Sequence, residues 1–357
     1  MKIIKDMQSG NLTSPINKTR RTLLKALPAM AFAPSLLAQS NPSPVAVRKL
    51  HSFDLRVSDV ARSVAFYQDL FGAPVQARQG DTVCLRIGPG PRYFSISPLR
   101  AGQQPGFNHI GLSVTNFATD SAQAQLAAFG ISPISAPTTN QPALDLAMHS
   151  WTVVRGNTRE LYFADIEGIV YHLTSEQYCG GSGETGAQCE RIEPAAASGM
   201  FKLVDLSHFT NFMANNSRAN AFYTSVFGKQ YQAYQGPTSP IIGVGDGIQF
   251  LMYVGGNQEG APTQPGRIDH VSFSVEDFSV DGILTRLTDY GLTGRENGNG
   301  APPLAHWVSL RMPNRGGIED GTPEVYFSDP DGIHIQLQDP SYCGGGGYLG
   351  NECEPLA

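Results

Sequence analysis

The chain has 357 residues, 25 Lys+Arg against 31 Asp+Glu for a formal charge of -6, 41% hydrophobic residues, 39 Gly and 25 Pro. A length of this order holds about two domains with ample core, and the balance of few charges and many aromatics excludes a disordered chain. No run approaches the roughly 18 consecutive apolar residues of a membrane span, so no span is expected.

Residues 1–38 read as an address. Arg20-Arg21 precede an apolar stretch over 26–37 that ends at Ala38, the layout of a twin-arginine signal peptide. The expectations are export by the twin-arginine translocase, a periplasmic or secreted location, and a linker at 39–47. Without that segment the chain keeps 19 basic and 30 acidic side chains, a net of -11. Such a surface repels phosphate backbones, which argues against a nucleic-acid partner and for a small molecule.

The first folded segment opens with an alternating strand at 50–57 and a helix over 59–70, whose apolar face is Val60, Val64, Tyr67 and Leu70 and whose end is Gly72. Short strands follow at 74–77, 82–87 and 92–96. The pattern restarts with a strand at 107–114 and a helix at 120–129 closed by Gly130. Strands near 131–134, 150–155, 160–163 and 170–174 complete it. Cys179 and Cys189 then bracket a glycine-rich loop, and Cys343 and Cys353 do the same near the other end. In an oxidising compartment these read as two local disulfides, and Cys84 as a buried core thiol.

From residue 202 the whole pattern repeats. Phe66-Tyr67 returns as Phe222-Tyr223, Asn108-His109 as Asp269-His270, and Asp165-x-Glu167-Gly168 as Asp329-Pro330-Asp331-Gly332. The expected fold is therefore α+β, a tandem duplication of paired βαβββ units, four in all. The aspartates and Gly332 of the repeated turn are read as turn residues without chemistry.

Asp54-Leu-Arg-Val-Ser-Asp59 leading to Phe66-Tyr67 and Phe71-Gly72, and Tyr326-Phe-Ser-Asp329-Pro330-Asp331-Gly332-Ile-His334-Ile-Gln336, resemble the vicinal oxygen chelate superfamily. That group includes glyoxalases, bleomycin resistance proteins and extradiol ring-cleaving dioxygenases. The four-unit arrangement most resembles the dioxygenases, with domains at 48–195 and 200–357. The resemblance implies half-open, barrel-like mixed sheets with helices outside, and a divalent metal held by residues of the first and last strands.

Carried over residue by residue, the resemblance implies His208, His270 and Gln336 as metal ligands, with His334 as a replacement or support on the same face. Dioxygenases of this kind use a carboxylate where Gln336 stands, and glyoxalase-like members accept Gln. Fe(II) or Mn(II) is expected, with Zn(II) or Ni(II) as alternatives. The same positions in the first copy are Ser52, His109 and His172, implying a secondary, weaker site; His51, by strand alternation, is expected on the other face. Tyr326 and His306 are the candidate catalytic side chains, as hydrogen-bonding phenol and as acid or base.

The function implied is a metal-dependent enzyme acting on a small molecule with adjacent oxygens, dioxygenase-like on an aromatic diol. The alternatives are a glyoxalase-like isomerase or lyase, and a non-catalytic binding protein of bleomycin-resistance type. Either a monomer or a homo-oligomer satisfies the duplication.

Overall fold

The computed structural model describes residues 42–137, 141, 143–189, 192–236, 239–245, 247–256 and 262–353. The expected signal peptide at 1–38 lies outside the described residues. None of the described helices is long and apolar enough to cross a membrane.

The first half runs β1 (Val47–Val57), α1 (Val60–Phe71), β2 (Val75–Gln79), β3 (Thr82–Arg86) and β4 (Tyr93–Pro98), then β5 (Gly106–Val114), α2 (Thr119–Ala128), β6 (Ser132–Pro133), α3 (Ala143–Leu146), β7 (His149–Arg155), β8 (Thr158–Ala164) and β9 (Val170–Thr174). The second half runs β10 (Leu203–Met213), α4 (Asn216–Phe227), β11 (Tyr231–Tyr234), β12 (Pro240–Gly243) and β13 (Phe250–Gly255), then β14 (Arg267–Val275), α5 (Val280–Tyr290), β15 (Thr293–Gly294), β16 (Ala305–Arg311), a 3₁₀ turn (Pro313–Arg315), β17 (Thr322–Ser328) and β18 (His334–Gln338).

Each half forms one nine-stranded sheet, in the orders β2-β3-β4-β1-β5-β9-β8-β7-β6 and β11-β12-β13-β10-β14-β18-β17-β16-β15. The two orders are identical position for position. In each, the opening strands of two units pair antiparallel at the centre, β1 with β5 and β10 with β14, and each also pairs parallel with the last strand of its own unit. This is the expected α+β duplication of four units in mixed sheets.

Local chemistry explains the element ends. Asp59 accepts from Arg62 N at 3.0 Å and Asn215 from Arg218 N at 2.9 Å, each cap worth about 1 kcal/mol. Gly72 and Gly228 end α1 and α4 at φ +59° and +60°, where a side chain would be strained. Both expected disulfides form, Cys179–Cys189 and Cys343–Cys353, and Cys84 is a free, buried thiol.

The main apolar core runs through both halves. The Phe53 ring stacks on Phe94 at 5.4 Å and meets Phe209 and Phe273 of the other half, each at 5.7 Å. The repeated aspartate turns clamp the halves reciprocally. Asp329 accepts from the N–H groups of Asp331 and Ile333 at 2.8 Å and from the Tyr67 hydroxyl at 3.1 Å. Asp165 accepts from Glu167 and Ile169 N–H at 2.9 Å and from the Tyr223 hydroxyl at 2.6 Å. The reading of Asp329 as a turn residue alone is therefore incomplete, because its carboxylate, like that of Asp165, also accepts a hydrogen bond from a tyrosine of the opposite half. Burial pushes both carboxyls up to about 6.

Candidate metal centre

Strand register lines up the centre before any side chain is considered. In the second sheet one cross-strand row runs Phe250, His208, Ser272, Gln336, Tyr326, Trp307. The next row pairs Thr210 with His270 and His270 with His334. Directly opposed residues share a face and stand about 5 Å apart, so β10, β14, β17 and β18 converge their polar side chains on one cavity of about 580 Å³.

Two β-bulges re-aim the histidines. The register shifts between Leu206 and His208 in β10, and Asp269 is the extra residue where Thr210 pairs with His270 but Asn211 with Ile268. Bulges commonly re-orient side chains beside active sites. His208 Nε2 lies 3.2 Å from Gln336 Oε1, and the His208 and His270 rings meet at right angles, 5.6 Å between centroids. Phe250 stacks on His208 at 4.3 Å.

The outer nitrogens are held. His270 Nδ1 is 3.0 Å from Asp269 Oδ2, and His208 Nδ1 is 3.1 Å from Ser207 Oγ. Such partners orient a ligating imidazole and leave Nε2 free to bind. His270 Nε2 and Gln336 Nε2 are buried without a hydrogen-bond partner, a cost of roughly 1–3 kcal/mol each that a ligand at the site would relieve for the imidazole. Burial, then the neighbouring His270, holds His208 well below the usual histidine range, so it is the neutral ring that a metal requires. These donors fit a divalent cation: two imidazole nitrogens and an amide oxygen. Among the described residues no three His, Cys, Asp or Glu side chains are grouped to hold a metal, and the third donor here is of another type.

His334 lines the same cavity, with its ring edge-on to Trp307 at 5.0 Å. His306 does not join it. Strand alternation turns Trp307 into the cavity and His306 toward α5, where Nε2 lies 2.9 Å from Thr288 Oγ1. Its expected acid–base role therefore lacks the geometry.

Tyr326 is in place. Its ring stacks on Trp307 at 5.5 Å and meets His270 edge-on at 5.2 Å, and its hydroxyl donates to Glu324 Oε2 at 3.3 Å. Burial and then the Glu324 charge push the phenol well above its ordinary value, so the Tyr326 hydroxyl keeps its proton and can donate a hydrogen bond. Glu324 Oε1 accepts from Tyr342 Oη at 3.0 Å and from Arg311 Nε at 3.2 Å. Arg311 is fully buried.

The first half repeats this frame with altered contents. Its row reads Tyr93, Ser52, Gly111, His172, Tyr162, Trp151, so Ser52 stands where His208 does. Tyr162 stacks flat on His172 at 4.5 Å and Tyr178 closes its edge at 5.1 Å. His109 meets Tyr162 and His172 edge-on at 5.3 and 5.7 Å, with Nδ1 3.0 Å from Asn108 Nδ2. The two histidines are together, but aromatic rings cover them. His51 departs from strict alternation because the β1 bulge between Leu50 and Ser52 intervenes. Its Nε2 lies 2.6 Å from Tyr178 O, beside the tyrosine that touches His172.

Sequence reasoning missed the carboxylate networks. Glu324, Arg311 and Tyr342 have counterparts in Glu160, Arg155 and Tyr178, where Glu160 Oε1 accepts from Arg155 at 2.7 Å and from Tyr178 at 2.5 Å. The duplication carried the clue: Glu160-Leu-Tyr162-Phe163 returns as Glu324-Val-Tyr326-Phe327, and Tyr178-Cys179-Gly180-Gly181 as Tyr342-Cys343-Gly344-Gly345.

A family model described as bleomycin resistance protein-like N-terminal matches residues 49–88. No curated protein sequence matches the chain significantly. Homoprotocatechuate 2,3-dioxygenase from Brevibacterium fuscum, in an anaerobic complex with 3,4-dihydroxyphenylacetate, is similar in fold, with a TM-score of 0.56 and 17% identity over 84% of this chain and 82% of that one. The 2,3-dioxygenase LapB from Pseudomonas sp. KL28 matches with a TM-score of 0.55 and 14% identity over 83% and 93%. Family match and shared fold bear out the resemblance to the vicinal oxygen chelate superfamily.

Proposed function

We propose that the chain is an exported, metal-dependent enzyme whose second domain, 200–357, carries the active centre, and whose first domain, 48–195, serves as scaffold. His208, His270 and Gln336 would hold a divalent cation, Fe(II) or Mn(II), with His334 in support. The observation that carries this reading is the buried, unpartnered His270 Nε2 beside the His208–Gln336 contact at the wall of an open cavity. The two disulfides support an oxidising, extracytoplasmic location.

The substrate would be a small molecule with two neighbouring oxygens, dioxygenase-like on an aromatic diol such as the one bound in the homoprotocatechuate 2,3-dioxygenase complex. A divalent cation supplies Lewis acidity and a template for both oxygens. The chain's own groups do the rest. Tyr326 keeps its proton at Oη and donates a hydrogen bond to a bound oxygen. Trp307 and Met252 wall the cavity with apolar surface that excludes water. Glu324, held by Arg311 and Tyr342, fixes the Tyr326 hydroxyl in the absence of substrate.

Gln336 favours a second enzymatic reading, a glyoxalase-like isomerase or lyase, because a neutral amide leaves more charge on the cation than a carboxylate does. The match at 49–88 favours a ligand-sequestering binder. Elemental analysis of the mature protein, purified without chelator, with H208A and H270A beside it, separates the three. One iron or manganese per chain, lost in both variants, supports the dioxygenase-like enzyme; zinc or nickel supports the glyoxalase-like one. No metal after anaerobic reconstitution refutes the metalloenzyme and leaves the binder.

A further inference from the structure

The two halves place different residues beside matching histidines. Asp269 precedes His270 and Asn108 precedes His109, and in each half that residue is the extra one of a bulge. Thr210 pairs with His270 but Asn211 with Ile268, and Asp54 pairs with His109 but Leu55 with Phe107. The bulge brings the side chain back onto the ring it precedes. Asp269 Oδ2 lies 3.0 Å from His270 Nδ1, and Asn108 Nδ2 lies 3.0 Å from His109 Nδ1.

The two contacts are opposite in sense. A carboxylate only accepts, so His270 in its neutral form holds its proton on Nδ1 and keeps a lone pair on Nε2. An amide nitrogen only donates, so His109 Nδ1 accepts and the ring proton sits on Nε2. One change of residue type, Asp for Asn, thus frees the Nε2 lone pair in one half and occupies that nitrogen with a proton in the other. The buried His270 Nε2 has no hydrogen-bond partner, as a lone pair kept for a ligand would not.

Asp269 is itself fixed. Its other oxygen, Oδ1, pairs with Arg267 Nη1 at 3.3 Å, and the Arg267 guanidinium lies 4.4 Å over the Phe212 ring. Gly106, which opens β5 as Arg267 opens β14, offers no such partner to Asn108. His208 is not constrained in this way, because its Nδ1 partner is the Ser207 hydroxyl, which can donate or accept. The three proposed metal donors are all neutral. Of the two carboxylates that line the cavity among the described residues, Glu324 is paired with Arg311 and Asp269 reaches a proposed donor.

We propose that Asp269 is a positioning residue that fixes His270 in the Nδ1–H tautomer, ready to bind a divalent cation through Nε2, and supplies the negative charge that the neutral donors lack. This rests on the proposed metal centre. Asn108 holds His109 in the other tautomer, so the first half lacks a free imidazole nitrogen at this position as well as the histidine that Ser52 replaces. A carboxylate on the outer nitrogen also raises the basicity of the ligating one, and loss of such a partner weakens metal binding by about 10–100-fold.

The test reads tautomer and metal affinity separately. In the metal-free mature protein, long-range proton–nitrogen NMR of isotope-labelled histidines, at a pH where the rings are neutral, should show Nδ1–H for His270 and Nε2–H for His109. H270A and H109A assign the two signals. In D269N the amide oxygen faces the donor-only Arg267 guanidinium, so its nitrogen meets His270 Nδ1. The ring should then change to Nε2–H, and manganese(II) affinity, read from the EPR signal of the free ion, should fall about 10–100-fold. D269E keeps an acceptor-only group and should keep the Nδ1–H tautomer and most of the affinity. D120N, the same change at the exposed Asp120 of the first half, should alter neither. The same tautomer at His109 and His270 in the wild type, a D269N protein that keeps either the wild-type tautomer or the wild-type affinity, or a D269E protein that behaves as D269N does, overturns the assignment and leaves the metal centre standing. No manganese bound by the wild type, with both tautomers as stated, refutes the proposed centre and the role of Asp269 toward it.

Discussion

Replacing Asp329 with Asn probes the cost of the carboxylates buried between the halves. Asp329 is fully buried, and burial lifts its carboxyl from 3.8 to about 6 against the lowering effect of its hydrogen bonds. Its folded value lies above the unfolded one, so the carboxyl favours folding below about pH 4, and that advantage is lost as pH rises through about 6. With about 1.4 kcal/mol per pH unit, the raised Asp329 carboxyl costs the wild type about 3 kcal/mol at pH 7.5, where it is folded in ionised, and about 1.5 kcal/mol at pH 5, where it must take up a proton on folding. Asn carries no charge at either pH, retains an acceptor for the Asp331 and Ile333 N–H groups, and offers its own N–H to the Tyr67 oxygen. Relative to wild type, D329N should therefore gain about 1.5 kcal/mol between pH 5 and 7.5, whatever constant difference the new hydrogen bonds introduce. Urea unfolding of both proteins at several pH values across that window measures it. The buried histidines, such as His51, which burial lowers to about 4, weaken both proteins in acid alike and cancel in the difference. A difference that stays flat, or shrinks as pH rises, would refute the buried-charge reasoning.

Other perturbations follow from the same geometry. Tyr67→Phe and Tyr223→Phe each remove a hydroxyl that donates to a buried carboxylate, and each should cost about 1–3 kcal/mol in chemical denaturation. Arg311→Met leaves Glu324 buried without its cation and should cost about 3–5 kcal/mol, while the double change Arg311→Met with Glu324→Gln should recover much of that loss; equal costs for single and double variants would speak against the pair. Cys343→Ser and Cys179→Ser should each lower stability by about 3 kcal/mol or less. Only the former should also weaken ligand binding, because Cys343 follows Tyr342, which lines the cavity.

The fold was legible because its landmarks are local and doubled. Asp59 and Gly72 bound a helix by capping and by positive φ, and the return of Phe66-Tyr67 as Phe222-Tyr223, of His109 as His270 and of the aspartate turn at 165–168 as 329–332 identified the duplication. The alignment of His208 with Ser52 and of Gln336 with His172 survives in the strand register, since register follows from the spacing of matched units. Alternation alone misplaced His51, because a bulge breaks the period of two. His306 was credited with a role that its neighbour's ring excludes, since a one-residue step along a strand reverses the face.

Glu324 shows the other limit. Nothing in its own neighbourhood of sequence distinguishes it from a surface glutamate on an edge-facing strand. It becomes a buried, paired carboxylate only because Arg311 from β16 and Tyr342 from beyond β18 arrive beside it. The Asp165 and Asp329 turns behave similarly: their backbone hydrogen bonds are local and readable, whereas their tyrosine partners lie 58 and 262 residues away.

Capping, periodicity, cysteine spacing and repetition, which act over a few residues or recur at a fixed interval, thus determined the four units, the disulfides and the strands that bear the metal-ligand candidates. Tertiary structure decided which half keeps an open cavity and which side chains the bulges turn into it. Those outcomes depend on desolvation and on contacts between distant segments, and neither exists until the sheets have closed against each other.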